Sequence, residues 1–158
     1  MGSKRIGLAR TEALLENLKR ELSLTNSTLN GVKVGLPSTV TEDTTLTAAD
    51  SNKVIRFDIA SSDVTVTLPS ASAGLTFKFL CVGAGAKSLL VDSGSGVTIT
   101  GATYLKDVSA GSVTRAAHSN RILGFGDNHL VGDQCEIICD GTNWHIISAW
   151  SGVAWVTS

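Results

Sequence analysis

The chain has 158 residues, with 13 Lys and Arg against 14 Asp and Glu and a net charge of -1. Hydrophobic residues make 42% of it and charged ones 17%, which is enough apolar surface for one core and too little charge for a disordered polyampholyte. The near-neutral balance argues against a broad nucleic-acid-binding face, which needs concentrated Lys and Arg, and no apolar run reaches the roughly 18 residues of a membrane-spanning helix.

The first ten residues are basic, but no apolar stretch follows that could form a secretory signal core, and Ile6 stands where a myristoylation motif requires Ser or Thr. Three cysteines, at 81, 135 and 139, are an odd set without an export signal, so reduced thiols are expected. Residues 6 to about 24 read as a helix. Leu8, Thr11, Leu15, Leu18, Leu22, Thr25 and Leu29 alternate spacings of three and four, the a/d repeat of a short coiled coil. Asn30-Gly31 supplies its stop. An isolated helix of this length is marginal in water, so Leu8, Leu15, Leu18, Leu22 and Leu29 are expected to pack on the chain's own domain, on copies of themselves or on a larger assembly. The organisation expected is a helix for oligomerisation or docking over 1–30, a linker over 31–43 with Pro37, and an antiparallel β-sandwich or barrel over 44–158.

From residue 44 onward the period becomes two. Val54 to Ile59 and Val64 to Leu68 are separated by the polar Ala60-Ser61-Ser62-Asp63, a connection of hairpin length. Val64, Val66 and Leu68 share one face, with Thr65 and Thr67 opposite, and Pro69 stops the strand. Further strands are expected at Thr76–Val82, Ser88–Val91, Val97–Thr100, Arg121–Phe125, Cys135–Cys139, Trp144–Ser148 and Val153–Val156. Asp140-Gly141-Thr142-Asn143 is the clearest hairpin turn.

Gly83-Ala84-Gly85-Ala86-Lys87-Ser88 resembles a phosphate-binding loop only superficially, because Ala86 precedes the Lys and strand-like Leu89-Leu90-Val91 follows where a helix is required. Cys135 and Cys139 would share a strand face roughly 13 Å apart, too far for one metal ion or a disulfide. His118, His129 and His145 lack ligand spacing. No G-x-S-x-G elbow occurs, and Asp127, Asp133, Glu136 and Asp140 read as a solvated loop rim. The chain is therefore expected to be non-enzymatic and to need no metal or cofactor. All three Trp lie in the last 15 residues. Trp144 is expected in the core; Trp150 and Trp155 either fill the bottom of the β domain, form subunit contacts or offer a sugar-stacking platform.

Ser3–Leu22 resembles the N-terminal helix of virion structural proteins of tailed bacteriophages, marine ones especially. The stretches Leu46–Ser51, Val64–Pro69 and Ala73–Phe79 are similar to a β module of phage capsid decoration proteins and fibres. Cys139-Asp140-Gly141-Thr142-Asn143-Trp144-His145-Ile146-Ile147-Ser148 resembles the hairpin that closes such modules. The resemblance implies a homotrimer in the virion, assembled in the host cytoplasm, most simply a capsid decoration (cement) protein bound to the major capsid protein or other virion proteins. The charge balance and the lack of a long apolar run argue for no nucleic-acid or membrane partner. In that reading the Leu stripe forms a three-copy bundle and Lys4, Arg5 and Arg10 meet acidic groups on the shell. The rival is a tail-associated or short fibre protein whose β domain touches a host glycan through Trp150, Trp155 or the turn-rich loops.

Overall fold

The computed structural model describes Glu12, residues 39–107 and residues 110–157. The chain divides after residue 33 into two units, and the β domain belongs to the second. The expected N-terminal helix, with Leu8, Leu15, Leu18, Leu22 and Leu29 and the docking residues Lys4, Arg5 and Arg10, lies outside the described residues.

The β domain opens with β1 (Thr44–Thr45), a 3-10 turn (Ala48–Asp50), β2 (Val54–Phe57), β3 (Val64–Thr67), β4 (Thr76–Cys81) and β5 (Leu89–Asp92). It continues with β6 (Ile99–Asp107), β7 (Ser112–Asn120), β8 (Ile122–Phe125), β9 (Gln134–Cys139), β10 (Trp144–Ser151) and β11 (Trp155–Thr157). One sheet runs β1-β3-β5-β8-β11 and the other β2-β4-β9-β10-β6-β7. β2 to β5 bury alternate side chains, such as Ile55 and Phe57 in β2 and Val64 and Val66 in β3, and the buried side chains of both sheets join one apolar core. Phe57 of the six-stranded sheet meets Phe125 of the five-stranded sheet at a ring distance of 4.8 Å. Each such fully buried side chain contributes about 1.5–3 kcal/mol.

The purely antiparallel arrangement expected from the sequence is not what forms. β1 with β3, β3 with β5, β2 with β4 and β6 with β10 are parallel, so both sheets are mixed. The expected hairpin between Val54–Ile59 and Val64–Leu68 is likewise overturned. β2 pairs with β4 and β3 with β5, and the polar link carries the chain from one sheet to the other. The apolar faces of the two strands thus cover the core from opposite sides instead of lying side by side. β7, at the edge of its sheet, went unrecognised: Ser112–Asn120 shows no apolar alternation, and only His118 in it is buried. Its ladder to β6 runs in unbroken register from Ile99 with Asn120 to Asp107 with Ser112.

Two residues of the expected linker are attached to this domain. Val40 bridges Phe57 in parallel, and the Asp43 carboxylate accepts the Thr65 N–H at 2.8 Å. The expected turn at Asp140 is present. Asp140 Oδ1 accepts the N–H groups of Thr142 and Asn143 at 2.7 and 2.8 Å, and Gly141 takes φ +103, a conformation open chiefly to glycine. Trp144 then enters the core fully buried, against Phe77 at 5.6 Å.

Candidate functional site: an aromatic platform on the six-stranded sheet

The site is built by an irregularity in β10. Along its ladder with β9, Ile146 faces Ile137 while Ser148 faces Glu136, so Ile147 is an extra, unpaired residue. Such a bulge shifts the alternation of side chains by one. Before it Trp144 is buried and Ile146 packs on the core; after it Ala149 and Ser151 are buried instead. Trp150 therefore turns outward and is 42% exposed.

Sheet register places Trp150 in a row across the outer face. Gln134 lies beside it on β9 and Tyr104 on β6, with Arg115 of β7 beyond Tyr104. The Trp150 and Tyr104 rings stack at 4.8 Å with planes 17° apart. Beneath them, the indole N–H of Trp155 donates to the Tyr104 carbonyl at 3.2 Å, a link from β11 of one sheet to β6 of the other. Trp155 itself is half-buried and packs on Phe125 at 4.8 Å. The two tryptophans grouped together by sequence thus belong to different sheets. Trp150 is presented to the surface, and Trp155 helps close the space between the sheets.

Beside Trp150 lies an open groove of about 290 Å³, bounded by Lys106, Leu130, Val131 and the Gly152 backbone. Leu130 is 45% and Val131 67% exposed. The wall is held by Asp133, which is buried. Its Oδ1 accepts the Gly152 N–H at 2.9 Å, and its Oδ2 accepts the Leu130 N–H at 3.0 Å and the Ser151 hydroxyl at 3.1 Å. One carboxylate therefore fastens the loop before β9 to the end of β10, and three donors satisfy the charge that burial would otherwise penalise. A side chain at Gly152 would meet Leu130 Cδ1 at 2.7 Å, so the half-exposed Leu130 side chain would have to swing aside to admit one.

The other candidate residues do not converge on the groove. Cys81, Cys135 and Cys139 are free and buried. Burial pushes the Cys81 thiol up to about 11 and the Cys135 thiol higher still, so neither is a ready nucleophile. Among the described residues no three His, Cys, Asp or Glu side chains gather as metal ligands. The Gly83–Ser88 loop directs its Ser88 N–H to Asp63 at 3.0 Å, and Gly85 lies against the His129 ring. That loop covers the core, and its Ser88 donor is already engaged. His145 contacts Asp140 Oδ2 through Nε2 at 2.7 Å and Thr100 Oγ1 through Nδ1 at 3.1 Å. The Thr100 hydroxyl also reaches the Trp144 carbonyl at 3.3 Å, so the cluster reads as a clasp across the turn.

Sequence reasoning singled out Trp150 but missed Tyr104, Lys106, Leu130 and Val131 as its neighbours, and placed Asp133 on a solvated rim. Asp133 is buried and structural instead. The available signal was thin: Tyr104 is the chain's single Tyr, and Leu130-Val131 is an apolar pair inside a polar turn region. No family model, curated protein or solved structure matches the chain.

Proposed function

We propose that the chain is a non-enzymatic virion structural protein of a tailed bacteriophage, a homotrimeric capsid decoration protein that binds the assembled shell and reinforces it. The observation that carries an assembly role is the edge strand β7. It is nine residues long, exposed along nearly all its length, free of Pro, and bears one charged residue, Arg115. Natural proteins shield long sheet edges with prolines, bulges or charges, or cover them with another element. This edge has few such guards, which is in keeping with a strand covered by a neighbour in the working assembly. The phage resemblance supplies the kind of assembly. Reinforcement then needs no chemistry, because a protein that binds only the assembled shell stabilises it by mass action.

Light scattering of the purified chain at micromolar concentration tests the trimer, and heating undecorated capsids with and without it tests reinforcement. The reading requires a mass near three chains and a higher melting temperature of the decorated shell. A monomer that leaves the shell's melting unchanged overturns it.

A further inference from the structure

We propose that the Tyr104–Trp150 platform and the groove beside it bind an acidic saccharide, one ring stacking on Trp150 and its carboxylate or other anionic group meeting Lys106 or Arg115. Three independent features lead there. The first is apolar exposure at a concave place: Trp150, Leu130 and Val131 are 42%, 45% and 67% exposed around one groove of about 290 Å³. An indole face beside a polar edge suits a ligand that is itself two-faced, as a pyranose is, with C–H groups on one side and hydroxyls around its rim.

The second feature is rigidity. The indole is braced by the Tyr104 ring, the Tyr104 backbone is held by the Trp155 N–H, and the groove wall is pinned by three hydrogen bonds to Asp133. A surface fixed in advance loses little conformational freedom on binding, which matters most for a small, weakly held ligand.

The third is charge. Lys106 borders the groove and Arg115 stands beside Tyr104 in the sheet register. The carboxylate nearest to Trp150 along the groove, Asp133, faces its own donors and is buried. Among the residues that line the groove, Lys106 is the cation and Asp133, turned to its own donors, is the carboxylate; Arg115, beyond Tyr104 in the register, supplies a guanidinium well shaped to take a carboxylate. A single-stranded nucleic acid shares the stacking and the anionic charge. It calls for a track of cations with repeated aromatic faces, whereas this platform offers one stacked pair. Binding at this groove does not depend on where the protein sits in a particle, so the proposal stands apart from the capsid reading.

The test is isothermal titration and saturation-transfer NMR of the full chain with trigalacturonate, with neutral galactotriose and with oligothymidylate. Trigalacturonate is expected to bind, with saturation transfer to the C–H face of one ring, and galactotriose to bind severalfold more weakly. Trp150→Ala is expected to weaken binding about tenfold, and Arg115→Gln together with Lys106→Gln to abolish the preference for the acidic sugar. Near-ultraviolet dichroism from buried Trp144 reports whether the variants remain folded. Should Trp150→Ala fail to fold, Val131→Glu, at a largely exposed position, places a like charge in the groove and is expected to give the same loss. The proposal is overturned by absence of trigalacturonate binding at millimolar concentration, by equal affinity for the neutral sugar, by affinity unchanged in these variants, or by preferential binding of oligothymidylate.

Discussion

Asp140 Oδ2 lies 2.7 Å from Nε2 of His145, so the residue that opens the β9–β10 turn is clasped to the second residue of β10. The same carboxylate caps the turn's own N–H groups. The Asn143 N–H, then the His145 ring, then the Thr142 N–H hold the carboxyl well below the usual carboxylate range. The depressed folded value means that the contribution to stability is present above the unfolded value near 4 and is lost as pH falls through the folded one. The urea midpoint of wild-type protein is therefore expected to exceed that of Asp140→Asn at pH 6, with the gap closing towards pH 2. A gap independent of pH would show that the carboxylate's charge contributes nothing.

His118 also costs stability as pH falls, but from a higher pH and for a different reason. It is buried in β7, burial lowers its imidazole below the ordinary 6.5, and neither ring nitrogen has a partner among the described residues. The unfolded chain takes up the proton first as pH falls, so this residue's neutral form favours folding fully above about 6.5 and progressively less below it. His118→Met is expected to flatten the fall in stability between pH 7 and 5. At pH 7 it should also gain about 1 kcal/mol, because two unpaired buried polar atoms are removed. Chemical denaturation across that range measures both.

Asp133 is expected to be among the costliest surface-proximal positions. Asp133→Ala strands the Leu130 and Gly152 N–H groups and the Ser151 hydroxyl, for a loss of about 3 kcal/mol or more in guanidinium unfolding. Asp133→Asn keeps one acceptor oxygen and should lose less. If the two variants unfold alike, the ordering of this loop does not depend on acceptor number.

Gly85→Ala tests the packing of the loop over the core. A Cβ there would lie 2.0 Å from the Ile59 carbonyl oxygen and 2.4 Å from His129 Cε1, so backbone or buried ring must move. Overpacking of this kind costs about 1–3 kcal/mol, read as a lower thermal midpoint. An unchanged midpoint would mean that the loop can lift away freely.

What the sequence disclosed and what it withheld divide along a physical line. Strand positions were legible at Val64, Val66 and Leu68, at Phe77 and Phe79 and at Cys135, Ile137 and Cys139, because alternation marks which side chains need burial. The Asp140–Asn143 turn was legible because its side-chain acceptor and its glycine act locally. Partner choice was not: four polar residues after Ile59 serve equally for a hairpin or for a crossing between sheets, and only the completed core selects. Trp150 was ambiguous for a related reason. Counting by twos from Trp144 points it inward, and the extra Ile147 reverses the count. Its stack on Tyr104 depends on a register between strands more than forty residues apart, which no local pattern encodes. β7 escaped notice because its neighbour β6, and not its own composition, makes it a strand.

The order in which the chain visits its sheets has a kinetic consequence. From β1 to β6 each successive strand lies in the other sheet, so none of β1 to β5 finds its sequence neighbour as its ladder partner. Every early pairing must close a loop that contains a strand of the opposite layer, and entropy is spent before contacts repay it. The two layers are thus expected to form together in one slow, cooperative step, nucleated from the later β6–β7 and β9–β10 hairpins, where pairing is local. A nascent chain that has yet to emerge past β6 would hold several strands and not one finished sheet.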